Sequence, residues 1–201
     1  SGAVAGFADA TGRYLPLVCT LNAARILDAA CRILGKNHDE VAQLALAAKP
    51  GANGLTLLPY FEGERTPNRP KATGVFAGMN LNNSNQEDIA RAMVEGMLAG
   101  LADAVDALVA LGVGVNRILL IGGAAKNPAV PVIASALFGR EVLVPPAGEY
   151  VADGAAKQAA WALLGEMPTW NLGEVTHHTS VATPDVMARY KELKNNTQDW
   201  S

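Results

Sequence analysis

The first twenty residues consist of two short β-prone runs separated by a turn. Residues 3–8 are small and mostly apolar, residues 9–12 (Asp-Ala-Thr-Gly) favour a turn, and residues 14–20 are β-prone again. Such an order is typical of two antiparallel strands joined by a tight loop. The pattern predicts a β-hairpin at the start of the chain.

Apolar residues recur at helical spacing in several longer segments. The first such segment ends at Gly35, and Asn22 is in position to cap it. Ser84 and Glu87 have the spacing of a capping box, which predicts the start of the longest helix. The predicted helices cover residues 22–35, 39–49, 85–112, 127–139, 150–165 and 185–194.

Short apolar runs between these helices are typical of buried strands. They cover residues 55–61, with Pro59 at the exit, then 74–79, 117–121 and 141–144. Residues 62–83 are rich in Gly, Pro and Asn and predict a long loop, and long loops are usually functional or interfacial. From Glu166 onward we expect a meandering surface path around the last helix. The mixture of strands and Ala-rich helices predicts an α/β layered fold.

Composition and charge exclude several classes of protein. The net charge is −3 and there is no run of Lys and Arg, so nucleic acid is not an expected partner. No apolar stretch approaches the roughly 20 residues needed to span a bilayer, which predicts a soluble protein. The chain begins without a Met or a secretory signal and resembles the middle of a longer protein. Cys19 and Cys31 are expected to be buried free thiols in a cytoplasmic protein.

The most informative motif is residues 118–128, Ile-Leu-Leu-Ile-Gly-Gly-Ala-Ala-Lys-Asn-Pro. A predicted strand runs into Gly122 and Gly123, which allow a sharp turn and a close approach of a ligand to the backbone. Asn127 is a predicted helix cap and Pro128 suits the first turn. A helix start attracts anions, with phosphate as the natural guest. The alternative is that the glycines only end a strand, and the motif matches neither a Rossmann nor a Walker A pattern.

Several separated segments together resemble the FGGY carbohydrate kinase family, most like its xylulokinases, over residues 1–165. Ser1-Gly2 is similar to the end of the family's Gly-Thr-Ser-Gly turn, and the Gly-Gly segment to its adenine-nucleotide loop. Three further segments are similar to the family: residues 58–67 (Leu-Pro-Tyr-Phe-Glu-Gly-Glu-Arg-Thr-Pro), 74–78 and 145–156. Asp153 departs from the apolar residue usual in the last of them. The resemblance implies a ribonuclease-H-like domain of the actin and hexokinase type over residues 1–165, followed by a C-terminal extension over 166–201.

The resemblance also implies a nucleotide site and its residues. Gly123 and Asn127 correspond to ADP-contacting positions, with Gly122 beside them in the same loop. Asn22 falls at a helix start that approaches the nucleotide in relatives, although a plain helix cap explains it equally well. Lys126 is a minor candidate for screening phosphate charge. The cofactors implied are ATP and Mg, with the metal carried by the phosphates.

The reaction implied is phosphoryl transfer from ATP to a ketose sugar, D-xylulose first, with gluconate, ribulose or glycerol as rival substrates. The catalytic Asp of the family lies upstream of Ser1, in an N-terminal domain that this chain lacks, so we expect the chain alone to be inactive. A homodimer is among the assemblies left open. A non-enzymatic actin-like nucleotide-binding module is the rival of another class.

Two further polar groups have chemistry that we assign to structure rather than catalysis. Glu64 and Arg65 are adjacent in the 58–67 segment, and such a couple is more often an ion pair or a loop anchor than an acid-base site. His177 and His178 resemble half a metal site, but neighbouring residues rarely face one ion together and no Cys or His cluster completes the set. We therefore expect no protein-bound zinc.

Overall fold

The alternation of helices and strands predicted from the sequence is present in a computed structural model that describes residues 2–171 and 173–200. Its strands are β1 (Ala5–Ala8), β2 (Tyr14–Leu17), β3 (Thr56–Leu58), β4 (Val75–Ala77), β5 (Ile118–Leu119), β6 (Val142–Val144) and β7 (Thr176–His178). Its helices are α1 (Arg25–Leu34), α2 (His38–Ala47), α3 (Gln86–Ala110), α4 (Ala129–Phe138), α5 (Tyr150–Leu164) and α6 (Pro184–Asn196). Short 3-10 turns span Ala52–Gly54, Gly123–Lys126 and Gln198–Trp200.

The strands form three small sheets. β1 and β2 pair antiparallel, which confirms the predicted hairpin, and β3 pairs antiparallel with β4. The third sheet has the order β5-β6-β7, with β5 parallel and β7 antiparallel to β6. Because β5 and β6 are parallel and α4 connects them, their carboxyl ends lie at the same edge of the sheet. Gly122 and Pro145 follow at that edge.

Helix α3 lies at the centre of the core and packs against α1, α2, α4 and α6. It is 25 residues long and buried on most of its first four turns. It also carries a buried ion pair, in which Nε of Arg91 lies 2.6 Å from Oε1 of Glu95. Oε1 of Glu95 accepts a second bond from the Gly51 amide at 2.9 Å, so the buried charge is well compensated. No helix in the described part of the chain has the length and apolar character needed to cross a bilayer.

Two of the predicted helix caps are wrong, each for a local reason. Asn22 does not cap α1, because its side chain bonds to the loop at Phe61 and Gly63, and α1 starts after Ala24 without a side-chain cap. Asn85, rather than Ser84, caps α3 by accepting the Asp88 amide at 2.8 Å. The helix therefore begins one residue later than the capping-box spacing predicts.

The tail contains a strand that the sequence did not predict. β7 pairs along β6, where residues 176–178 lie opposite residues 142–144. The predicted helix near residues 185–194 is confirmed as α6, and it buries Val186 and Tyr190 in the domain. Lys194 also contacts Asp103 of α3 at 2.7 Å. β7 and α6 thus pack against the domain, whereas the sequence predicted a meandering path over its surface.

The hairpin and α5 form a second, largely uncovered part of the molecule. None of the residues of α5 is buried, and Val151 and Leu163 are 88% and 86% exposed. In the hairpin, Phe7 and Leu15 are about half exposed. The outer edges of β1 and β5 have no strand partner within the described residues. A cavity of about 260 Å³ separates the hairpin turn from α5, so the two elements are neighbours.

Candidate functional site

The turn between β5 and α4 has the geometry that its two glycines permit. Gly122 has φ 94° and ψ −177°, a conformation that is essentially restricted to glycine. A 3-10 turn over Gly123–Lys126 follows, and α4 begins at Ala129. A Cβ built on Gly123 would meet no atom within 4 Å, so the space beside this backbone is open. The strand-turn-helix arrangement predicted from the sequence is confirmed.

Asn127 is both a helix cap and a source of an unpaired donor. Its Oδ1 accepts the Ala129 amide at 3.0 Å, which confirms the capping role predicted for it. Its Nδ2 is buried and has no hydrogen-bond partner within the described residues. The side chain as a whole is only 8% exposed. Buried amide donors are almost always bonded, so this unpaired donor is an exception within the described residues.

A cavity of about 410 Å³ opens beside Asn127. One wall is the turn before α4, with Gly123, Lys126 and Asn127. The other walls come from α1 and from the start of α2. These walls contribute Ala24, Arg25, Leu27, Asp28, His38 and Asp39. The cavity combines an apolar floor with polar groups at its sides, as small-molecule sites commonly do.

A second cavity, of about 590 Å³, lies on the other side of the same turn. It is bounded by the carboxyl ends of β5 and β6 and by the segment 145–150 that leads into α5. Gly122 belongs to this cavity alone, whereas Gly123 and Lys126 line both cavities. The turn is therefore the shared wall of two adjoining depressions. The four predicted site residues of the 122–127 loop all lie on these walls.

Asn22, the fifth predicted site residue, lines neither of these two cavities. It is 4% exposed, and its Nδ2 donates to the Gly63 carbonyl at 2.6 Å and to Oε2 of Glu64 at 3.0 Å. Its Oδ1 accepts the Phe61 amide at 3.1 Å. The side chain is thus fully used in joining the hairpin exit to the 58–67 segment. Ser1, part of the predicted Gly-Thr-Ser-Gly turn, lies outside the described residues.

Glu64 is a loop anchor. The carboxylate is 2% exposed and accepts bonds from the Thr20 hydroxyl at 2.7 Å and the Leu21 amide at 2.9 Å. It also accepts from Asn22, and from the Arg65 amide at 2.7 Å. A carboxylate that is buried and accepts this many hydrogen bonds has no free face for a substrate. The assignment of Glu64 to structure agrees with this geometry.

The two histidines of β7 have separate neighbours. Nδ1 of His177 lies 2.8 Å from Oε1 of Glu141, and Nε2 of His178 lies 3.4 Å from the Thr176 hydroxyl. Within residues 2–171 and 173–200, no group of three or more His, Cys, Asp or Glu side chains is arranged to hold a metal ion.

Sequence reasoning missed Asp28 and His38, which form part of the first cavity. Nε2 of His38 lies 3.2 Å from Oδ1 of Asp28. The readable signal was the capping box of Asn37 and Glu40, which fixes His38 as the first residue of α2. The approach of His38 to Asp28 depends on how α2 turns back on α1, and no local pattern specifies that angle.

Comparisons with known proteins agree with this architecture. The model of the C-terminal domain of the FGGY family of carbohydrate kinases matches residues 2–163. A xylulose kinase of Streptomyces rubiginosus is 40% identical over 169 residues, which are 84% of this chain and 33% of that protein. The crystal structure of a xylulose kinase from Bifidobacterium adolescentis has 51% identity and a TM-score of 0.85, and the match covers 96% of this chain and 38% of that chain.

The fold extends to more distant structures. A gluconate kinase from Lactobacillus acidophilus has a TM-score of 0.81 at 21% identity, which shows likeness of fold alone. The domain is accordingly α/β with the ribonuclease-H-like fold of the actin and hexokinase class. The matched part of this chain spans about a third of the length of the xylulose kinases of Streptomyces rubiginosus and Streptomyces coelicolor. The family model matches residues 2–163, which are most of this chain, so the chain belongs to the FGGY family of carbohydrate kinases and contains the C-terminal domain of that family.

Proposed function

We propose that the protein of which this chain is part is an ATP-dependent xylulose kinase, and that this chain supplies its nucleotide site. The observation that carries the nucleotide assignment is the buried, unpaired Nδ2 of Asn127, a residue that lines the 410 Å³ cavity. The assignment of the sugar follows the names of the similar proteins, which are xylulose kinases. The proposed reaction gives ADP and D-xylulose 5-phosphate.

The base of the nucleotide fits the cavity between α1 and the turn before α4. Leu27 supplies apolar surface there, and the open side of Gly123 lets the ligand approach the backbone. From this position the phosphates extend toward Gly122 and the adjoining cavity, past Lys126, which lines both. A lysine there offsets phosphate charge as a point cation. The chain's contribution to the reaction is to bind and orient the nucleotide.

The magnesium ion fits this chain only as a companion of the nucleotide. The described residues contain no group of three or more metal-ligating side chains, whereas magnesium is commonly held by substrate phosphates and a few carboxylates. When bound, the metal neutralises charge that develops on the transferred phosphoryl group. We propose that it enters with ATP.

The general base is proposed to come from the remainder of the protein. Glu64, a carboxylate of the 58–67 segment, accepts hydrogen bonds from five donors and is 2% exposed. It cannot reach a sugar hydroxyl without losing those bonds. We therefore expect the 201-residue chain by itself to transfer no phosphate.

We further propose that the remainder of the protein packs on the uncovered hairpin and α5. Val151, Leu163 and Phe7 expose large apolar areas there, and exposed apolar patches commonly mark interaction surfaces. Hydrogen exchange of the full-length protein tests this: slow exchange of the α5 amides is expected. Exchange of α5 as fast as that of an exposed loop would contradict the proposal. Localisation in the cytoplasm stays a prediction. Homodimer formation also stays a prediction, and sedimentation of the full-length protein measures it.

The activity is tested by a coupled assay of ADP release with the full-length protein. D-xylulose, D-ribulose, gluconate and glycerol are compared at equal concentrations with ATP and magnesium. We expect the highest kcat/KM with D-xylulose and none for the 201-residue chain. A higher kcat/KM with another of these compounds would identify that compound, rather than D-xylulose, as the substrate. Nucleotide binding without turnover of any sugar would favour an actin-like binding module.

A further inference from the structure

The wall of the nucleotide cavity opposite Asn127 presents a carboxylate that no part of the proposed function uses. Asp28 projects from the first turn of α1, and His38 opens α2. Both line the 410 Å³ cavity together with Asn127. Nε2 of His38 lies 3.2 Å from Oδ1 of Asp28, and about half of the Asp28 side chain is exposed. This carboxylate thus contacts His38 and is still accessible.

The orientation of His38 is set from its other nitrogen. Nδ1 lies 3.5 Å from Sγ of Cys31. Burial, assisted by the nearby charge of Asp28, raises the pKa of the Cys31 thiol, so the sulfur keeps its proton. A protonated thiol is able to donate to Nδ1, and the other ring nitrogen, Nε2, faces Asp28. Cys31 and His38 therefore position the carboxylate.

Asn127 already uses its side-chain oxygen within the protein. Adenine offers an acceptor at N7 and a donor at its 6-amino group, and a free Asn amide can pair with both. In this structure Oδ1 of Asn127 already accepts the Ala129 amide, which leaves Nδ2 as the free group. A stronger acceptor for the 6-amino group lies on the same cavity wall, because the Asp28 carboxylate is charged and is not bound to the backbone of the turn.

We propose that Asp28 selects adenine over guanine by accepting the 6-amino group of the base while Asn127 donates to a ring nitrogen. Guanine has a carbonyl oxygen at the 6-position, which would face the carboxylate as acceptor against acceptor. The inference rests on the proposed nucleotide site and adds the group that determines base specificity. Asp28 acts on recognition and takes no part in phosphoryl transfer.

The first test uses the unmodified full-length protein and three nucleotides in calorimetric titration. Purine riboside 5′-diphosphate lacks only the 6-amino group, whereas GDP has a carbonyl oxygen in its place and carries a 2-amino group in addition. We expect ADP to bind about tenfold or more tightly than purine riboside diphosphate, as for loss of a hydrogen bond to a charged group, and GDP to bind more weakly still. Equal affinities for ADP and purine riboside diphosphate would overturn the proposal. Failure of all three to bind would overturn the nucleotide site itself.

The second test compares two matched variants. Asp28→Asn is expected to reduce the preference for ADP over GDP by about tenfold, because a rotated amide can donate to the guanine oxygen. Asp106→Asn is the control, since Asp106 is a similarly exposed, ion-paired aspartate remote from the cavity. Its preference is expected to equal that of the parent. An unchanged preference in folded Asp28→Asn, or a loss of preference in Asp39→Asn instead, would contradict the assignment to Asp28.

Discussion

Replacing Asn127 by Asp separates its two roles, because only the terminal nitrogen changes. The capping oxygen, which accepts the Ala129 amide at 3.0 Å, is retained, and a negative charge at the start of α4 is favourable by about 0.3 to 1 kcal/mol. Desolvation of a carboxylate that is 8% exposed opposes this gain. We expect the free energy of unfolding to change by less than about 1 kcal/mol.

The same substitution removes the buried donor that is proposed to bind the base. The lost bond is worth roughly 0.5 to 1.5 kcal/mol, and leaving an acceptor of the base unpaired adds roughly 1 to 3 kcal/mol. We therefore expect the KM for ATP of the full-length enzyme to rise by about tenfold or more. The KM for the sugar is expected to change by less than twofold, because the proposed site places the nucleotide base at this turn.

The assay measures both Michaelis constants and urea unfolding for Asn127→Asp and for the control Asn85→Ala. Asn85 caps α3 through the Asp88 amide at 2.8 Å and lines neither of the two cavities beside the 122–127 turn. Its loss is expected to cost about 0.5 to 2 kcal/mol of stability without changing the KM for ATP. An unchanged KM for ATP in folded Asn127→Asp, or an equal rise in both Michaelis constants, would refute the assignment of the unpaired donor.

Three further predictions concern the turn, the anchor and the buried tyrosines. Gly122→Ala is expected to cost about 1 to 3 kcal/mol in urea unfolding, because φ is 94° there. At Gly123 an added Cβ would meet no atom within 4 Å, so Gly123→Val is expected to weaken ADP binding with little loss of stability. Glu64→Gln is expected to lower the free energy of unfolding by roughly 1 to 3 kcal/mol, because the N–H groups of the new amide would face hydrogen-bond donors. An unchanged free energy of unfolding would mean that the anchor is dispensable. Burial raises the pKa of Tyr60 to about 12 and also raises the pKa of Tyr190. Because an unfolded tyrosine ionises near pH 10, the folded state gains stability from these protonated hydroxyls that is complete below about pH 10 and is lost as the pH rises toward 12. Urea unfolding at pH 9 and 11.5 measures this loss, on the order of 2 kcal/mol from Tyr60, and Tyr60→Phe is expected to reduce it.

Local patterns in the sequence were sufficient for the helices and for the turn that forms the site. The run from β5 through Gly122 to Asn127 and α4 is specified by backbone chemistry: a strand, residues that permit the required φ and ψ, and a capping side chain. Each of these preferences acts over a few residues, so each can be predicted from the sequence alone. The hairpin was predictable for the same reason.

Features that depend on contacts between distant residues were not predictable. Asn22 has the ordinary sequence position of a helix cap, but the buried carboxylate of Glu64, forty-two residues later, recruits its amide. β7 has no hydrophobic alternation and forms because the free edge of β6 is available beside it. Asp28 and His38 meet only after α1 and α2 have packed. In each case the deciding interaction is tertiary, and local propensity is overridden.

The central claim is that the nucleotide base binds between α1 and the turn that precedes α4. A crystal structure of the full-length protein with ADP measures this directly. We predict the base beside Leu27 with one of its nitrogens within 3.2 Å of Nδ2 of Asn127, a normal hydrogen-bond length, and the phosphates directed toward Gly122. A base bound elsewhere, with Nδ2 of Asn127 still unpaired or bonded to water, would contradict the account.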